Sequence, residues 1–177
     1  MALSFTVGGA RGTFAEPFAG EVACALDLAF GGEGEWEGSD PLHFGDLTPR
    51  CWAELQERAV AELGAEGLPH LLALDEAGRG VYLPAHVQAV ALPMAGGRPL
   101  RCASLPGLRS ELAELADRWG LPLDDDGLHA LLRHGDGDDV AMVDAPELHT
   151  FARLALAANE AVRRDCPLWL VGRAEGF

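Results

Sequence analysis

The chain has 177 residues, 49% of them apolar, and 28 acidic residues against 13 basic ones give a formal charge of −15. Such a chain can form one globular domain over 1–177 that buries roughly 70% of the surface its unfolded form exposes, so a disordered protein is excluded. All thirteen basic residues are arginine, and without lysine neither Schiff-base chemistry nor a P-loop of the usual kind is available, since both need an amine on a flexible stem.

The chain also has no isoleucine, one asparagine (Asn159) and one tyrosine (Tyr82), which reads as the codon usage of a GC-rich bacterial genome. The opening MALSFTVGGARG has no basic stretch followed by an apolar one, so no signal peptide is expected. No apolar run approaches the roughly 18 residues of a membrane span. The expected location is the cytoplasm.

Leu3, Phe5 and Val7 alternate with Ser4 and Thr6, the pattern of a half-buried strand. The Gly-rich VGGARG that follows would cradle a phosphate only if a helix came next, and TFAEPFAG, broken by Pro17 and Gly20, reads as a loop. In Glu21–Phe30, residues Val22, Cys24, Leu26, Leu28 and Phe30 share one parity, which predicts a second strand antiparallel to the first. Residues 31–46 read as a hairpin tip or long connection carrying Glu33, Glu35, Glu37, Asp40 and Asp46, with Trp36 among the acids.

Thr48 and Pro49 mark a helix start, and Trp52, Leu55, Ala59 and Leu63 form its buried stripe before Gly64 and Gly67 stop it. Between Leu68 and Leu105 four short apolar runs, LPHLLAL, VYLP, AHVQAVALP and LRCASL, are separated by turn-forming segments, and they predict a sheet region. A second helix is expected over 106–119, with Leu108, Leu112, Leu115, Ala116 and Trp119 inward and Gly120 ending it.

A short helix is expected over 127–134, capped by Asp126, between two Asp clusters. The strand-like VAMV precedes the longest helix, for which Asp144 and Glu147 supply a capping box around Pro146. Its buried stripe is Leu148, Phe151, Ala155, Ala158 and Val162, and His149, Arg153, Glu160 and Arg164 mark its solvated side. PLWLV (167–171) reads as a buried strand, and 173–177 as a mobile tail. Strands that come in groups point to an α+β fold, a mixed or mostly antiparallel sheet with about four helices packed mainly on one face.

No catalytic residue, metal or cofactor is assigned. The densest polar cluster is Asp124, Asp125, Asp126, His134, Asp136, Asp138 and Asp139, with His129 nearby. Carboxylates with imidazole suit zinc or iron, yet HGDGDD lacks calcium-loop spacing, and His129 and His134 are not i,i+4 ligands. None of the four serines lies in G-x-S-x-G, and Cys24, Cys51, Cys102 and Cys166 all fall in segments that read as buried. His70 and His86 fall in predicted strands. Nucleic acid is excluded as a partner, because its phosphates need clustered cations.

A negative field of this size favours basic partners. The leading expectation is therefore an acidic protein-binding module, of inhibitor, immunity or adaptor type, that holds a more basic protein through Trp36, Glu33, Glu35, Glu37 and Asp40. The first alternative is a small metal-dependent hydrolase using the His/Asp cluster at 129–139, and the second a self-associating adaptor with no catalytic role. The cysteines have no CxxC or Cys/His ligand spacing, and a chain of this size needs no covalent staples. Thiol titration of the denatured, unreduced protein should therefore find all four thiols free; a mass showing two bridges would contradict this.

Overall fold

The computed structural model describes residues 2–32, 40–134 and 145–172. The strands are β1 (Leu3–Val7), β2 (Leu42–Leu47), β3 (Arg79–Leu83), β4 (Val90–Leu92), β5 (Leu100–Ser104) and β6 (Leu168–Gly172). The helices are α1 (Ala10–Thr13), α2 (Phe18–Phe30), α3 (Pro49–Leu63), α4 (Leu105–Trp119), α5 (Asp125–His134) and α6 (Pro146–Arg164). The strands form one sheet in the order β2-β1-β6-β3-β5-β4. Only β3 and β5 pair in parallel; every other neighbouring pair is antiparallel. The fold is thus α+β with a mixed sheet.

Alternation along the strands sorts the core into two layers. Leu3, Phe5, Val7, Tyr82, Ala103, Leu168 and Leu170 face the layer that contains Trp52, Leu55, Leu112 and Phe151. Val81, Leu83, Cys102, Trp169 and Val171 face Phe14, Ala19, Val22 and Leu26. Because both faces are covered, β6 reads as an unbroken apolar run, and all five of its residues are buried. The Trp169 indole is held edge-on to Phe14 and donates to the carbonyl of Gly8 at 2.7 Å.

The larger helices lie on one face, and their ends follow the expected caps. The Thr48 hydroxyl accepts from the Cys51 amide at the start of α3, and Gly120 ends α4 in the left-handed region. At α4 the cap is Ser104, whose hydroxyl accepts from the Gly107 amide at 3.0 Å. At α6 the cap position is Ala145, which makes no side-chain cap, and Glu147 in the first turn pairs with Arg58 of α3. The expected Asp144–Glu147 box involves Asp144, which, like the VAMV run and the 173–177 tail, lies outside the described residues.

Several predicted elements differ. Residues 21–30 are not a strand but most of α2, which with α1 covers the other face of the sheet. Ala19, Val22, Ala23 and Leu26 recur at helical spacing and bury, while Cys24 and Leu28, which share a parity with Val22 and Leu26, point outward. With alanine at most of the other positions, parity and helical period fitted the segment equally well.

Residues 68–74 form 3-10 turns in place of a strand: Leu68, Leu71 and Leu74 bury at every third position. Side chains, not a neighbouring strand, satisfy this backbone. Glu111 accepts from the amides of His70 and Leu71 at 2.8 and 2.7 Å, and the Gln56 amide donates to the carbonyls of Leu71 and Leu74. Of the predicted strand AHVQAVALP only Val90–Leu92 pairs, so neither His70 nor His86 sits in a strand. Conversely Leu42–Leu47, expected in a connection, is edge strand β2.

At Gly80 in β3 the chain runs so close to Leu74 that a Cβ would collide with that side chain. Replacing Gly80 by Ala should cost about 1–3 kcal/mol of stability through overpacking, read as a lower denaturation midpoint with an unchanged slope.

Candidate functional site

The residues singled out in the sequence do not converge on one centre. Glu33, Glu35, Trp36 and Glu37 lie outside the described residues. Asp40 is exposed, and its backbone carbonyl accepts from Arg164 at 2.9 Å, which ties the end of the acidic segment to the last turn of α6. In the second cluster, Asp124 accepts from the Gly127 amide at 2.9 Å and caps α5, the task expected of Asp126. Asp125 accepts from Arg163 and from Asn159, whose amide also donates to the Leu123 carbonyl. The Arg163 hydrogen bond, reinforced by that of Asn159, holds the Asp125 carboxyl below its ordinary range. Asp126 and His129 are exposed, and His134 ends α5; Asp136, Asp138 and Asp139 lie outside the described residues. Among the described residues no three His, Cys, Asp or Glu side chains are grouped to hold a metal ion.

A second constellation, not singled out in the sequence, brings Ser104, His70, Glu111 and Tyr82 together where β5 runs into α4. The residue types resemble a nucleophile, base and acid, but the bonding does not. The Ser104 hydroxyl is occupied at the α4 cap, and the His70 Nδ1 accepts from the Ser104 amide at 3.3 Å. The imidazole lies flat against Gly107, where no Cβ could be accommodated. Glu111 is 6% exposed, and its carboxylate serves the backbone of the 3-10 turn, not the imidazole. Burial, with a smaller contribution from His86, holds the His70 imidazole below its ordinary pKa. Burial likewise raises Glu111 against its two backbone hydrogen bonds, and raises the fully buried Tyr82 phenol well above the usual value. This cluster fastens the turn to α4; it offers no free nucleophile.

The third feature is on the surface. The outward side of α2 exposes Leu28 at 84%, with Cys24 and Ala29 also exposed. A shallow groove of about 410 Å³ runs between Glu21, Cys24 and Leu28 on the helix and Pro93 and Met94 beyond β4. On the other side of the same ridge, Arg11, Asp27, Gly31 and Gly32 border a second groove of about 450 Å³. There Oδ1 of Asp27 is shielded from solvent and has no hydrogen-bond partner. Val90 of the edge strand β4 is 42% exposed. The strand reading of 21–30 hid this surface; the signal for it was the 3.6-residue period of Ala19, Val22, Ala23 and Leu26, which leaves Cys24 and Leu28 on the opposite side.

No family model, no curated protein and no solved structure matches this chain. No helix among the described residues is long and apolar enough to cross a membrane.

The raised carboxyl of Glu111 gives the polar cluster a pH signature. A group that binds its proton more tightly folded than unfolded adds stability that is fully present below its unfolded pKa and is lost as pH rises through the folded one. Glu111→Ala should remove that slope above the ordinary carboxylate range. At neutral pH it should also destabilise by about 2–5 kcal/mol, because two buried amides lose their acceptor. Urea unfolding of both proteins between pH 4 and pH 8, on the order of five points, measures both effects.

Proposed function

We propose that this chain is an acidic protein-binding module, of inhibitor, immunity or adaptor type, whose ridge on α2 and β4 edge receive a more basic protein. The observation that carries this reading is Leu28, a large apolar side chain 84% exposed between two grooves. An exposed Leu alone is ordinary, but here it stands between two grooves on a chain of formal charge −15. An apolar anchor in a negative field suits a partner that presents an arginine or lysine next to an aliphatic or aromatic residue. The acidic segment holding Glu33, Glu35, Trp36, Glu37 and Asp40 begins three residues after α2 ends. It is therefore close enough along the chain to extend the same surface and to supply a second anchor in Trp36.

The charge of −15 supports the direction of complementarity and also disfavours self-association through this face. The hydrolase reading has no comparable support, since Asp124 and Asp125 are already engaged as a cap and an ion pair.

A photo-crosslinker at position 28, introduced in cells, should trap a protein with net positive charge. Titrated with that purified partner, Leu28→Asp should weaken binding by about 2 kcal/mol or more, roughly 30-fold, while Tm stays within about 2 °C of wild type. Trp36→Ala should weaken it by a similar amount, and binding should fade as salt rises through a screening length of about 8 Å at physiological strength. Trapping of an acidic protein, or unchanged affinity in Leu28→Asp, would overturn the proposal.

A further inference from the structure

A cleft separate from the α2 surface lies between the first turn of α3 and the N-terminal half of α6. It has a volume of about 280 Å³, and its walls include Leu47, Thr48, Cys51, Pro146, His149 and Arg153. The sequence suggested a buried, inert Cys51 and a solvated His149. In the structure both are half-buried and line the same cavity.

Three observations set this cleft apart. First, the Cys51 thiol is free, and its position is fixed by Thr48: the Cys51 amide donates to the Thr48 hydroxyl at 3.2 Å, and that hydroxyl donates to Sγ at 3.0 Å. Second, Nε2 of His149 is shielded from solvent and has no hydrogen-bond partner. An orphaned imidazole nitrogen is costly, so this ring gains from any polar group or proton brought to it. Third, Arg153 is tethered by the Asp46 carbonyl, which keeps a guanidinium at the rim. The rest of the wall is Ala2, Leu47 and Pro146 with two polar residues, Thr150 and Asp46. A thiol, an unpartnered imidazole and a cation around one small cavity are the parts required for attack on a carbonyl carbon.

We propose that this cleft is an acyl-acceptor site, in which Cys51 takes a short aliphatic acyl group from an activated ester or thioester. In the step, Sγ forms a bond to the carbonyl carbon and the bond from that carbon to the leaving oxygen or sulfur breaks. The thiol proton passes to His149 and then to the leaving group, so a free alcohol or thiol departs and a thioester remains on Cys51. Arg153 at the rim faces the negative charge that builds on the carbonyl oxygen.

The chain contains its own control. Cys24 on α2 is more exposed than Cys51 but borders no imidazole, so simple accessibility and the proposed site predict opposite orders of reaction. With p-nitrophenyl butyrate as the probe, the native protein is sampled over time and its cysteine peptides are assigned by mass. Butyryl transfer to Cys51 should run at least about ten times faster than to Cys24 and should saturate with probe concentration, as binding in a pocket requires. His149→Gln should slow Cys51 by about a hundredfold and leave Cys24 unchanged, the lower end of what a positioned base supplies. If Cys24 reacts as fast as Cys51, the proposal is overturned without any substitution being needed. Equal Cys51 rates in wild type and His149→Gln would overturn it as well. Because Cys51 is far in the fold from the α2 ridge, neither result bears on the binding of a basic partner.

Discussion

The structure depends on how closely α6 can approach the sheet. Ala152, Ala155, Ala157, Ala158 and Ala161 are all buried, and with so little side-chain volume this helix packs against β1, β2 and β6 on one side and against α3, α4 and α5 on the others. A buried alanine contributes little apolar area of its own, so the stabilisation comes from what the close approach allows the larger neighbours to do. Phe151 stacks edge-on with Trp119 of α4, and Arg58 of α3 lies over that indole while pairing with Glu147 of α6. One arginine thus joins three helices. The polar residues of α6 hold what remains: Asn159 fixes the start of α5, and Arg153 and Arg164 reach the chain around β2.

The second constraint is the strand-free stretch before β3. A segment as apolar as LPHLLAL has to bury its leucines, and its amides and carbonyls must be bonded when it does. In a sheet a neighbouring strand would supply those bonds. Here one carboxylate and one carboxamide supply four of them, from Glu111 and Gln56. That solution brings a carboxylate into the core, and it explains why residue types associated with hydrolysis meet beside Ser104 without a reactive arrangement.

The legible parts of the fold were those where one pattern had no rival. In β1, β3 and β5 apolar and polar residues alternate or are bounded by glycine, and Thr48–Pro49 and Gly120 mark helix ends that only one conformation satisfies. The segment 21–30 failed because its small residues tolerate both a two-residue and a 3.6-residue period, and the deciding partner, Trp169, lies about 140 residues away in the sequence. The segment 68–74 failed for a different reason: its conformation is set by Glu111 and Gln56, two polar side chains on separate helices. The same holds for the surface features. Leu28 becomes an exposed ridge, and Cys51 a neighbour of His149, only after α2 and α6 have been placed in three dimensions.

The treatment of the β2 edge bears on whether this sheet can pair with another chain. An outermost strand is a template for another chain, and proteins commonly guard it with lysine. With no lysine available, α6 sends Arg153 and Arg164 to the carbonyls of Asp46 in the strand and of Asp40 two residues before it, so these main-chain acceptors are already occupied by cations. A bulge between Ser4 and Thr6, with Gly45 in the left-handed region opposite, breaks the regular spacing that an incoming strand would have to match. At the other margin β4 is three residues long and stops at Pro93, which has no amide hydrogen to offer. Growth of the sheet into a fibre is obstructed at both margins, by guanidinium groups reaching over from a helix at one and by brevity at the other.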